Sequence, residues 1–295
     1  KAAVAPVGSS TDESVTTADG RLRTFHVYVP SAMRGAVDGS PVPLLIALHG
    51  GGGSGTQFKA NSGFDGLAEA NGFVVVYPDG VVGGAAGNPL RTWNGGGCCG
   101  LAARQQVDDV GFVDLLIATL ETRLPIDASR VYAAGHSNGG ILAYRLACEL
   151  SGRIVAIGVQ STAMEVPSCA PDHPVSVLHI HGTADQNIPI GGGPGTDSVS
   201  KVSFAAPIDG PRALAAADGC AATAEPPAVD SANGDLTTTV WSCPSGVDVR
   251  FVAVAGASHA WMGHLAGGSG KVGPVYTKLD SSLAIWTFLA QHHRT

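Results

Sequence analysis

The chain has 295 residues, 44% hydrophobic and 14% charged, a balance that excludes a disordered chain, which pairs low hydrophobicity with high charge. Its net charge of −7 offers no basic footprint for nucleic acid, and no apolar run approaches the roughly 18 residues of a membrane span. The length suits one large α/β domain or two small ones, and 41 glycines with 18 prolines, lacking a collagen-like period, point to many turns and ordered loops.

Residues 1–13 are small and polar and read as a loose segment, leaving 14–295 as one folded catalytic unit. No charged-then-apolar leader opens the chain at Lys1, so a secretory leader is expected to be already removed. Val15–Thr17, the Asp19-Gly20 turn and Leu22–Val29 predict a hairpin, with Phe25, Val27 and Val29 alternating. Leu44–Leu48, Val74–Tyr77, Val131–Ala134, Ile154–Val159 and Val175–Ile180 are continuous apolar runs. Such runs suit strands covered on both faces, as in a parallel sheet. Helical patterns over Phe58–Ala70, Val107–Arg123 and Ile141–Leu150 lie between them. Pro211–Asp218, Leu236–Trp241, Val247–Val254 and Leu279–Gln291 complete the alternation. Without a repeat or a linker, this predicts a single α/β domain. It has a mostly parallel central sheet, helices on both faces and an N-terminal hairpin. The sequence carries no signal for an oligomeric state.

Six cysteines, an even number, point to disulfides and an oxidising, extracellular compartment. Zinc is disfavoured, because no CxxC occurs and Cys98 and Cys99 are adjacent. Cys220, at a helix end, and Cys243, after the strand Leu236–Trp241, suit a local bridge. Cys148 and Cys169 start from the same side of the sheet and are expected to pair. Cys98 and Cys99 then form a vicinal disulfide or stay as thiols. In the alternative, one of them captures Cys148 and leaves Cys169 free.

Gly135-His136-Ser137-Asn138-Gly139 follows a predicted strand and opens a predicted helix, which is the setting a G-x-S-x-G elbow requires. The flanking glycines make room for a strained turn that lifts the Ser137 hydroxyl above the sheet. Serine is a weak nucleophile without a base. His259, just past the strand Val247–Val254, is the expected base, and His264 is its rival. His26, His49, His136, His173, His292 and His293 lie in hairpin, strand-end, elbow, loop or terminal-helix positions. His179 and His181 share one strand face, so a metal pair is conceivable, but no third ligand stands at useful spacing. The third member must orient the imidazole. Asp185, directly after the strand Val175–Ile180, fits, with Asp197 and Asp209 as alternatives and Asp79 as a turn acid. The order Ser137, Asp185, His259 is that of the α/β-hydrolases. Oxyanion donors are expected from the N–H of Asn138 and from the loop His49–Gly53, where glycines let the backbone approach a carbonyl. That loop lacks the patterns of a phosphate cradle.

His49-Gly50-Gly51, Trp93-Asn94, Cys98-Cys99-Gly100, Asp108–Phe112, Gly135–Gly140, His181–Asp185 and Ser258–Trp261 carry a resemblance. From about residue 15 onwards the chain resembles the polyhydroxybutyrate-depolymerase-like esterases, which stand close to the feruloyl and acetyl-xylan carbohydrate esterases. The resemblance implies an α/β-hydrolase fold, with Ser137 as nucleophile, Asp185 as acid and His259 as base. It places the oxyanion donors on the N–H groups of Gly51 and Asn138. Many members carry Cys where this chain has Gly51, a change that leaves the backbone donor in place. Trp93 and Trp261 fall in motifs flanking the site, either as core aromatics or as walls for an acyl or sugar group.

The expected activity is a secreted serine carboxylesterase on feruloyl or acetyl esters of plant polysaccharide, needing neither metal nor organic cofactor. The near alternative is a polyhydroxyalkanoate or polyester depolymerase. Against it, few residues follow His259, too few for a polymer-binding module. A catalytically inactive hydrolase fold that binds a glycan or a protein is the remote alternative. It is disfavoured because all three triad residues are present.

Overall fold

The computed structural model describes residues 8–34, 40–83, 90–264 and 270–294. Strands β1 (Ser9–Thr16) and β2 (Leu22–Val29) form the expected hairpin. The loose segment expected over 1–13 is corrected in part, because Ser9–Glu13 pair in register with Phe25–Val29. Residues 1–7 lie outside the described residues. This edge strand is polar throughout its first five positions, so it has no apolar period to read. It is held instead by backbone bonds and by cross-strand contacts such as Asp12 Oδ1 with His26 Nδ1 at 2.6 Å.

The alternation then runs β3 (Val42–Leu48), α1 (Gly55–Ser62), α2 (Phe64–Asn71), β4 (Val74–Pro78), α3 (Gly100–Arg104), α4 (Asp109–Glu121), β5 (Ile126–His136) and α5 (Asn138–Glu149). It continues with β6 (Ala156–Gln160), β7 (Ser176–Gly182), α6 (Asp209–Ala217), β8 (Ala228–Val229), β9 (Leu236–Trp241), β10 (Val249–Val254) and α7 (Ser281–Leu289). The ten strands form one sheet in the order β1-β2-β4-β3-β5-β6-β7-β10-β9-β8. The six central strands, β4 to β10 in that order, are parallel, and antiparallel strands flank them at both edges.

The strand period of two divides the core. Leu44, Ile46 and Leu48 of β3 face one layer with Phe112, Leu116, Leu142, Leu146 and Leu214, from α4, α5 and α6. Leu45 and Ala47 face the other with Phe58, Phe64, Ile285 and Trp286, from α1, α2 and α7. Helices therefore cover both faces, as the apolar runs predict. The single helix expected over Phe58–Ala70 is two helices. Gly63 breaks it at φ 71°, where a Cβ would also stand 2.5 Å from the His264 ring. Cys148–Cys169 and Cys220–Cys243 are bridged, and Cys98–Cys99 form a vicinal disulfide.

Candidate active site

At the end of β5 the chain turns into α5 through Ser137, whose φ of 53° and ψ of −121° are rare for a residue with a side chain. Close packing imposes the conformation. A Cβ on Gly135 would stand 2.5 Å from the Gly139 carbonyl carbon, and one on Gly139 would collide with the carbonyl oxygen of Leu48, at the end of β3. The Ser137 N–H donates to the Gln160 carbonyl at 3.1 Å, and the Thr162 hydroxyl donates to the Ser137 carbonyl at 2.8 Å. Both partners sit at or just past the end of β6, so the neighbouring strand fixes the turn.

His259, past β10, stands with Nε2 2.9 Å from Ser137 Oγ and Nδ1 2.8 Å from Asp185 Oδ2. Asp185 follows β7, and its other oxygen accepts the N–H groups of Asn187 at 2.8 Å and Ile188 at 2.9 Å. Burial raises the Asp185 carboxyl, but the His259 hydrogen bond and charge, His181 and the Ile188 N–H outweigh it and bring it down to about 2. A carboxylate only accepts, so the proton of neutral His259 sits on Nδ1 and the Nε2 lone pair faces the Ser137 hydroxyl. The structure thus brings together the three residues expected from the sequence.

Two further histidines build the frame. His136 donates from Nε2 to the His259 carbonyl at 2.8 Å, and burial, with the charge of His259, lowers its pKa to about 3. His49 is lowered to about 4 by burial. It donates from Nδ1 to the Gly50 carbonyl at 2.8 Å and accepts the Gly80 N–H at 2.9 Å. The sequence reading assigned neither role. The Gly-rich loop folds over the elbow, with a Cβ on Gly51 falling 3.5 Å from the Asn138 Cβ. The N–H of Asn138 opens α5, where unpaired amides and the helix dipole favour negative charge.

A cleft of about 690 Å³ opens over Ser137, walled by Gly51, Ile141, Ile188, Phe204, His259 and Trp261. Trp261 donates to the Ser282 hydroxyl at 2.9 Å and meets Phe58 edge-on at 5.1 Å. Trp93 as a substrate wall is corrected: it is fully buried beneath the loop. Its indole N–H donates to the His49 carbonyl at 2.9 Å, and its backbone is bonded to the Asn138 side chain. A tryptophan motif beside a site does not reveal whether the ring faces the ligand or the support beneath it.

The rivals fall elsewhere. His264 Nε2 lies 3.1 Å from Asp280 Oδ1 at the outer part of the cleft. Asp209 starts α6 and pairs with Arg212, while Asp197 lies on the cleft wall. Asp79 is a turn acid, accepting from the Gly55 N–H at 2.9 Å and the Thr24 hydroxyl at 2.7 Å. His179 Nε2 and His181 Nδ1 face each other at 3.2 Å and share one hydrogen bond, which leaves no outward pair for a metal.

Residues 24–180 match the family described as Esterase PHB depolymerase. The chain belongs to this family. It is 30% identical over 260 residues to a protein named as esterase NocK, of Nocardia uniformis subsp. tsuyamanensis, covering 83% of this chain and 72% of that one. Feruloyl esterase B of Piromyces equi is 29% identical over 262 residues, covering 87% of this chain and 45% of the relative, so the chain spans less than half the length of that protein. Among solved structures, an acetyl xylan esterase from Aspergillus awamori superposes with a TM-score of 0.58 at 14% identity, covering 84% of this chain and 94% of that one. At that identity the likeness concerns the fold, which is that of the α/β-hydrolases.

Proposed function

We propose that the protein is a secreted serine carboxylesterase that cleaves feruloyl or acetyl esters on plant polysaccharide, with the described residues from Ser9 onwards as one catalytic domain. The observation that carries this reading is the line of two hydrogen bonds, Ser137 to His259 at 2.9 Å and His259 to Asp185 at 2.8 Å, at the floor of the cleft. His259 takes the hydroxyl proton as Ser137 Oγ attacks the ester carbonyl. Asp185 stabilises the resulting imidazolium and holds its tautomer. The tetrahedral oxyanion forms beside the N–H groups of Gly51 and Asn138, at the positive end of α5. His259 then protonates the departing alcohol and leaves an acyl group on Ser137. Water enters and attacks the acyl carbonyl as His259 takes its proton, His259 then returns that proton to Ser137 Oγ as the C–O bond breaks, and the acid is released. Every step uses groups of this chain.

The apolar wall of Ile141, Ile188, Phe204 and Trp261 suits an acyl group more than a sugar, and the names of the relatives favour feruloyl or acetyl. The disulfides support an oxidising compartment, hence secretion. Rates on methyl ferulate, acetylated xylan and hydroxybutyrate oligomers test the substrate. Preference for either of the first two supports the proposal, and preference for the oligomers moves the enzyme to the polyester depolymerases.

A further inference from the structure

Beside Asp185, three buried side chains form a line that the catalytic steps do not use. Tyr144 of α5 places its hydroxyl 2.8 Å from His179 Nδ1. His179 Nε2 stands 3.2 Å from His181 Nδ1, and His181 Nε2 stands 2.8 Å from the Ile188 carbonyl. Both imidazoles are fully buried in β7, and burial keeps them neutral, His181 being lowered to about 4.

The direction of each bond follows from its far end. A carbonyl only accepts, so His181 carries its proton on Nε2. A neutral imidazole has one N–H, so His181 Nδ1 accepts and His179 must donate from Nε2. His179 Nδ1 is then an acceptor, and the Tyr144 hydroxyl donates to it. No other arrangement satisfies every bond.

The line ends on a residue that the site uses twice. The Ile188 N–H donates to Asp185 Oδ1 at 2.9 Å, and its side chain walls the cleft. His181 Nε2 also lies 3.6 Å from Asp185 Oδ2, the oxygen that faces His259. We propose that His181, its proton held on Nε2 by the Ile188 carbonyl and its Nδ1 bonded by His179, is a positioning residue that grips the Asp185–Ile188 turn and keeps Asp185 aimed at His259. The inference rests on the reading of Ser137, His259 and Asp185 as the triad.

The groups facing His259 are Asp185, His181, His136 and Ser137, with Asp197, His264 and Lys271 further along the cleft. Three variants separate positioning from mere packing. His181→Ala removes the grip, and His181→Gln keeps an N–H donor of similar reach. Tyr144→Phe deletes the donor at the far end of the line, while the Ile188 carbonyl still holds the His181 proton on Nε2, so this variant removes a buried bond and leaves the grip in place. Each is assayed for kcat, KM and pH profile on p-nitrophenyl acetate, and His259 is titrated by NMR in the resting enzyme. A carboxylate no longer aimed stabilises the imidazolium less. His181→Ala should therefore lower kcat roughly 10–100-fold and move the His259 titration to lower pH. His181→Gln should recover most of the loss, and Tyr144→Phe should lower stability while leaving the His259 titration at its wild-type position. If His181→Ala does not fold, His181→Leu, which fills the space without an N–H, takes its place. An unmoved His259 titration in a folded His181→Ala or His181→Leu overturns the proposal even where the melting temperature falls. A failure of the triad reading would show separately, as full esterase activity in Ser137→Ala, while the NMR titration still tests the grip.

Discussion

Asn138 clasps the backbone of Trp93 from both sides: the Trp93 N–H donates to Asn138 Oδ1 at 2.8 Å, and Asn138 Nδ2 donates to the Trp93 carbonyl at 3.0 Å. The residue whose backbone N–H faces the proposed oxyanion thus ties, by its side chain, the loop under the Gly-rich segment to the start of α5. Trp93 in turn donates its indole N–H to His49. The two halves of the proposed oxyanion hole share one buried support. Asn138→Ala leaves the buried Trp93 N–H unpaired and removes one of two donors from its carbonyl, which still accepts the Cys99 N–H at 3.1 Å, a cost of about 1–3 kcal/mol. Urea unfolding should show that loss together with a lower kcat. A stability change within about 0.5 kcal/mol, the range of an ordinary surface substitution, would contradict the clasp.

The two tryptophans should behave oppositely. Trp261→Ala, on the cleft wall, should raise KM for an aromatic ester more than for an acetyl ester. Trp93→Phe should chiefly lower stability and kcat, through the lost bond to His49. Steady-state kinetics on methyl ferulate and p-nitrophenyl acetate check this, and equal KM effects of the two variants would refute the assignment.

Stability should fall in acid. His49, His136 and His181 are held near 4, 3 and 4 by burial and His179 well below its ordinary value, whereas an unfolded histidine titrates near 6.5. Below about pH 6.5 the unfolded chain binds more protons, so stability falls as pH drops, by roughly 1.4 kcal/mol per unit for each such histidine. Asp218, raised to about 6 by burial, acts in the opposite sense between about pH 4 and 6 and offsets about one of them. Asp185, lowered to about 2, adds its own loss as pH falls from about 4 towards 2. The net slope should be about 2–4 kcal/mol per unit between pH 6 and 4.5. Urea midpoints across that range measure it, and a flat profile would mean the histidines are not held neutral.

The Cys148–Cys169 and Cys220–Cys243 bridges close loops with separations of 21 and 23 residues and should each contribute about 3 kcal/mol. The Cys98–Cys99 bridge closes no such loop. Calorimetry of the three double-serine variants should show two large losses in melting temperature and one small one. A Cys98→Ser/Cys99→Ser variant as unstable as the others would contradict the ranking.

The central sheet was legible because strands covered on both faces read as unbroken apolar runs, and Leu44–Leu48 and Val74–Tyr77 stand within one or two residues of β3 and β4. The elbow was legible because Gly135 and Gly139 answer a steric demand that few other turns make. What escaped had no local signal. The β1 residues Ser9–Glu13 are polar, β8 has two residues, and Gly63 resembles a tolerated helix glycine until its φ is known. The roles of Trp93, His49, His136 and His181 depend on which side of a loop or strand each ring takes. Those choices are made by partners 44 to 123 positions away for Trp93 and His136, and by a turn 7 residues on for His181.

The most direct test of the account is to quench the wild-type enzyme in acid while it turns over p-nitrophenyl acetate and to map the acyl group by peptide mass spectrometry. The account predicts an initial burst of p-nitrophenol and an acetyl ester on the peptide carrying Ser137, with both absent in Ser137→Ala. An acyl group on any other residue, or undiminished turnover by Ser137→Ala, would contradict it.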